Sequence, residues 1–157
     1  MTVTPNEQAT SRLVNAFAVE FAVRYMHEAA NLFDADYECT LIFLAILESN
    51  GRQNIRQPWF AEDFGDVRLS LPAEMARPIS RQAIAESLSI PRETVRRKVA
   101  YLIDRGFLTE VRGGVITTRG VIGNEKFLAA QRKVMIYVRQ FLSDLAEYAG
   151  VPAKTVN

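Results

Sequence analysis

A chain of 157 residues, 48% hydrophobic and 24% charged, has enough apolar side chain for one or two small packed domains and lies outside the composition of disordered chains. Its net charge of +1 excludes a polybasic tail or an acidic solvating segment. One cysteine excludes a disulfide framework or a multi-cysteine zinc site, and one histidine argues against a His-rich metal centre or a His-based triad.

The first block, about Asn6 to Leu32, carries Leu13, Phe17, Phe21, Tyr25 and Leu32 at spacings of three, four and seven, which is helical. Its opening residues lack the basic-then-apolar pattern of a signal peptide. From about Asp36 to Ser49 a short helix is apolar on most sides, and Asn50-Gly51 is its expected stop. The run Leu41 to Leu47 inside it is the longest apolar stretch, too short for a membrane span of about 18 residues. A soluble, cytoplasmic protein without a membrane partner is the expectation.

Gly51 to Pro78 shows no clear period and reads as a long loop, a functional insertion or a covering flap. Trp59 and Phe60 either anchor it on the core or line a ligand pocket. Further on, about Asn124 to Tyr148 forms a long helix with a broad apolar stripe, stopped by Gly150 and Pro152.

Between these, Ser80 is a good N-cap, and Arg81 to Leu88 reads as a short helix with Ile84 and Leu88 inward. Ser89-Ile90-Pro91 breaks it, with Ser89 at a turn position that often holds glycine. Pro91 leads into a second helix, about Arg92 to Asp104, which places Val95, Val99 and Leu102 on one face and Glu93, Arg97 and Tyr101 on the other. Two β-favouring runs, Phe107 to Val111 and Val115 to Thr118, enclose Arg112-Gly113-Gly114 and predict a hairpin. Helix, tight turn, helix and hairpin make a winged helix-turn-helix. The expected fold is mainly α with a small β wing, flanked by long N- and C-terminal helices. Residues 1–34 and 121–157 would serve dimerisation, and residues 35–120, with the insertion 51–78, would bind DNA.

The second helix of such a pair enters the major groove with its N-terminal residues on base edges. Arginine grips guanine O6 and N7 with two bonds, and a carboxylate accepts from cytosine N4. Between Arg81 and Arg112 seven basic residues (Arg81, Arg92, Arg96, Arg97, Lys98, Arg105, Arg112) face four acidic ones, a local charge of +3. This is the distribution that phosphate neutralisation requires. Arg92, Glu93 and Arg97 are the expected base readers. Ser80, Arg81, Gln82, Thr94, Arg96 and Arg112 are the expected backbone contacts. Glu93 has an alternative use, pairing with Arg97 at i,i+4.

The strings Ile79-Ser80-Arg81-Gln82-Ala83-Ile84 and Arg92-Glu93-Thr94-Val95-Arg96-Arg97 resemble the DNA-binding domain of the Crp/Fnr (cyclic-AMP receptor protein) family, over about 40 of the 157 residues. The resemblance implies base contacts by Arg92, Glu93 and Arg97, a backbone contact by Arg81, and a G·C-containing half-site. Similar strings occur in GntR-type winged helices. Arg96 stands where the best-known Crp member has a smaller residue. No segment upstream reads as that family's β-roll nucleotide domain, so no cyclic nucleotide, and no other cofactor or metal, is expected. The layout of helices on both sides of a winged domain is similar to the MarR-like arrangement and predicts a homodimer on double-stranded DNA, with room for an unknown small-molecule effector. The alternative is a winged protein–protein interaction module. An enzyme is not expected, since paired carboxylates, a Ser/His/Asp set and a Gly-rich phosphate loop are all missing from the sequence. Cys39, inside an apolar helix, reads as a core thiol, and His27 as a surface or interface residue.

Overall fold

The computed structural model describes the backbone of residues 5–151 and the side chains of residues 10–151. Its elements are α1 (Pro5–Ala30), α2 (Tyr37–Gly51), α3 (Pro58–Phe64), α4 (Arg81–Leu88), α5 (Arg92–Asp104), β1 (Leu108–Val111), β2 (Gly114–Thr117) and α6 (Glu125–Tyr148), with short 3-10 turns at 31–33, 73–75 and 121–123. The fold is mainly α with a small antiparallel hairpin. Packing divides the described residues into two compact units, residues 30–128 and the paired terminal segments up to Ala29 and from Ala129.

In the unit 30–128, α2 starts where the Asp36 carboxylate accepts the Cys39 N–H at 2.9 Å, a side-chain N-cap. Cys39, Ile42, Phe43 and Ile46 are all buried, at the three- and four-residue spacing of a helix that faces a core along one stripe. The helix ends at Gly51, at the expected Asn50-Gly51 stop, but without a left-handed cap, since Arg52 after it is still right-handed (φ −50°, ψ −41°). Asn50 is nevertheless a key residue. Its Nδ2 donates to the Arg77 carbonyl at 2.7 Å, and its Oδ1 accepts the Thr117 N–H at 2.9 Å. One buried amide thereby ties the end of α2 to the root of the hairpin.

The stretch 51–78 is not the structureless loop its composition suggests. It contains α3, opened by Pro58 at a position where the missing N–H costs nothing. No residue of α3 is buried. Trp59, Phe60 and Phe64 pack on each other instead, with ring centroids 5.8 to 6.4 Å apart.

The helix-turn-helix follows the expected spacing. Ser80 Oγ accepts the Ala83 N–H at 3.1 Å and caps α4. Ile84 is buried, Leu88 packs against the core, and Val95, Val99 and Leu102 of α5 are each 0% exposed. Ser89 adopts the left-handed conformation (φ 54°, ψ 37°) that glycine accepts without steric cost. Ser89→Gly should therefore stabilise the protein by about 0.5–1 kcal/mol, after allowance for the freer unfolded chain. Urea unfolding checks this, and a lower midpoint in the glycine variant would contradict it.

β1 and β2 pair with Leu108 opposite Thr117 and Val111 opposite Gly114, so the turn is Arg112-Gly113 and Gly114 already belongs to the strand. A third chain segment joins the edge, where Ile79 and Val115 exchange two backbone hydrogen bonds at 3.0 and 3.2 Å. Four phenylalanines complete the core. Phe33, Phe43, Phe107 and Phe127 lie within 5.0 to 6.3 Å of one another, centroid to centroid. Phe33 and Phe127, from segments read as parts of the flanking helices, therefore serve the central core.

The second unit pairs α1 up to Ala29 with α6 from Ala129. Moving forward along α1, partners run backward along α6. Phe17 meets Tyr148, Phe21 stacks on Phe141 at 5.3 Å, Arg24 lies over the Tyr137 ring, and Glu28 binds Lys133 at 3.2 Å. The two helices are antiparallel. Val19, Val23, Ile136 and Leu142 face solvent, each more than half exposed. Gly150 follows α6 with φ 62°, and Pro152, the second expected stop, lies outside the described residues.

Candidate nucleic-acid interface

The buried face of α5 determines what its other face shows. With Val95, Val99 and Leu102 anchored in the core, Glu93, Arg96, Arg97, Ala100, Tyr101 and Asp104 are left exposed along the outside. Arg92, the first residue of the helix, has a side chain 71% exposed. The three expected base readers, Arg92, Glu93 and Arg97, thus stand at the solvent-facing N-terminal end of one helix. Thr94 is half-buried beside them, with its side chain toward neither extreme.

Of the expected backbone contacts, Arg81 and Gln82 connect to the same helix through their neighbours, whereas Arg112 is carried on the wing. Arg81, in the first turn of α4, makes a two-bond pair with Glu110 of β1 at 2.8 and 3.1 Å, which ties the helix pair to the wing. Arg81 also lies close enough to Arg96 to feel its positive charge. The Glu110 carboxyl is held below the usual carboxylate range by its bonds to Arg81 and then by the Arg81 charge. Ser80 spends its oxygen lone pair on the α4 cap, and its hydroxyl proton remains available as a donor. Gln82 donates to Glu86 at 2.8 Å, and Glu86 lies 3.8 Å from Arg92. Arg112, at the tip of the wing, is exposed.

Two features escaped the sequence reading. Glu93 pairs with Arg96 at i,i+3, with bonds of 2.8 and 2.6 Å, and not with Arg97 at i,i+4. That pair holds the Glu93 carboxyl below its ordinary range, chiefly through the hydrogen bonds. Neither Arg97 nor Arg112 has an ion pair among the described residues. The cationic count also shrinks. Lys98, one of the seven basic residues, is bound by Asp36 and lies 3.7 Å from Glu38, with its side chain only 14% exposed. It stitches α5 to the start of α2 and is spent on the fold. Arg105 stacks over Tyr101 at 5.6 Å. No local spacing points to Asp36 as a partner for Lys98, 62 residues away.

The exposed pairs are exchangeable. A solvated Arg–carboxylate pair stabilises a protein by about 0–1 kcal/mol, so Glu93, Glu110 and Glu86 hold arginines in place without committing them. Cys39 lies apart from this surface, in the core. Burial above all, then the neighbouring Asp36 charge, pushes its thiol up to about 11, so it stays protonated and unreactive at neutral pH. Among the described residues no group of three or more His, Cys, Asp or Glu is placed to hold a metal, and no helix is long and apolar enough to cross a membrane.

These elements define a winged helix-turn-helix with a charged, outward-facing second helix. Comparison with protein-family models, with curated protein sequences and with solved structures finds no match to the chain.

Proposed function

We propose that this protein is a sequence-specific DNA-binding transcriptional regulator, cytoplasmic and homodimeric, whose α5 reads the major groove in the manner of Crp/Fnr-like winged helices. One observation carries the reading: Arg92, Glu93 and Arg97 are exposed on the N-terminal half of a helix whose opposite face is wholly buried, with Arg81 and the wing beside them. Arg92 and Arg97 read guanines and Glu93 reads a cytosine amine. Ser80, Arg81, Gln82, Thr94, Arg96 and Arg112 hold the phosphates. A second copy covers the solvent-facing apolar residues of the α1–α6 pair. The two recognition helices then sit about 34 Å apart on a palindromic site.

Binding-site selection from random duplexes tests this reading, and the expected result is one enriched, two-fold symmetric motif. Arg97→Ala should cost about 1–3 kcal/mol on the selected duplex, roughly five- to 150-fold, and relax one base pair. Arg112→Ala should weaken selected and random duplexes alike and lower the salt slope by about one. Equal losses on both duplexes for Arg97→Ala reject its role as a base reader.

A second reading has its own support. Glu86, Glu93 and Glu110 make the face mixed in sign, which suits a protein partner as well as a polyanion. No enriched motif, together with a stable protein complex, would decide for it.

A further inference from the structure

We propose that the insertion and the root of the wing line a binding site for a short branched-chain carboxylate. A cavity of about 90 Å³ lies between α2, the segment 67–76 and the end of the hairpin, with Leu47, Leu71, Ile116 and Ile122 among its walls. On the scale by which an apolar cavity of about 150 Å³ takes up benzene, it holds roughly three or four carbons. Its walls are mainly hydrocarbon, so an apolar tail gains by replacing the water there.

The rim is different. Ser70 Oγ lies 3.5 Å from where a Cβ on Gly120 would stand, which brings that hydroxyl next to the residue following Arg119. Both Ser70 and Arg119 line the cavity. Among the described residues neither the Ser70 hydroxyl nor the Arg119 guanidinium has a hydrogen-bond or ion-pair partner. A lining that includes an arginine and a free hydroxyl among apolar side chains suits a group that accepts from both and carries a small hydrocarbon tail. A carboxylate with a branched tail of three or four carbons answers all three requirements. The anion rests at the rim, where it stays partly hydrated, and the tail enters the cavity.

This site stands apart from the DNA-binding reading, and its test contains no DNA, so each can fail alone. The probes are isobutyrate and isovalerate, titrated into the full chain by calorimetry, with 3-methylbutan-1-ol as the neutral counterpart. Saturable 1:1 binding of at least one acid is expected, with the alcohol about ten-fold weaker or worse. Arg119→Ala should lower acid affinity by a similar factor while helical circular dichroism stays unchanged. Ala76→Leu, which fills the cavity, should abolish binding. Should that variant fold poorly, the exposed Arg119 substitution decides alone. Kd values weaker than about 10 mM for both acids, equal binding of the alcohol, or unchanged affinity in Arg119→Ala would each overturn the proposal.

Discussion

Gly114→Ala is expected to destabilise the protein by roughly 3 kcal/mol or more and to detach the wing from the helix pair. Gly114 has φ 143°, where an L side chain is strained. A Cβ there would lie 2.1 Å from the Ile79 carbonyl oxygen and 2.8 Å from the Ser80 nitrogen. Both are backbone atoms held by the Ile79–Val115 bridge and the α4 cap, so neither can yield cheaply. Gly113→Ala is the matched control. Its φ of 95° is also strained, but its Cβ meets only Pro78 at an ordinary 3.8 Å, so about 1 kcal/mol is expected. Chemical denaturation of the two variants measures the difference. Equal costs would mean that the close approach of the turn to Ile79 does not matter. On the DNA-binding reading, Gly114→Ala also weakens binding to every duplex, because Arg81 and Arg112 lose their common support.

Phe43→Ala should cost about 3–5 kcal/mol, enough to unfold a large share of a marginally stable domain. Phe43 is 1% exposed and touches three other aromatic rings drawn from separate segments. No neighbour can move into its space without leaving another ring unsupported, so most of the cavity persists. Phe60→Ala, in the surface cluster of α3, should cost less than about 1 kcal/mol by comparison. Urea unfolding followed at 222 nm gives both values. A loss under about 1.5 kcal/mol for Phe43→Ala would show that the four-ring cluster can repack.

Where the chain states its structure locally, the sequence was readable. Ser80 before a short apolar-periodic run, Ser89-Ile90-Pro91 directly after it, and Val95, Val99 and Leu102 in register led directly to α4, α5 and their inward faces. What could not be read depends on residues far apart. The bond from Asn50 to Thr117 spans 67 residues, and Lys98 finds Asp36 across 62. The Arg81–Glu110 pair follows from the wing folding back over α4, which no spacing reveals. α3 was hidden because it is only seven residues long, buries nothing, and begins with a proline that also punctuates loops. The end of α2 at Gly51 was legible, but the right-handed Arg52 that follows was not, because a glycine near a helix end usually signals a left-handed turn.

The pairing of arginines with carboxylates has a kinetic consequence. Long-range attraction between a protein and a polyelectrolyte follows the field several ångströms out, and a guanidinium with a carboxylate at its side contributes little at that range. As a DNA reader, this protein would therefore meet random sequence with weak grip and short residence. The three glutamates would release their arginines only where neighbouring phosphates outcompete them. Tight holding would then be reserved for sites that fit, and a target search across a long chromosome would run by frequent brief encounters instead of prolonged sliding.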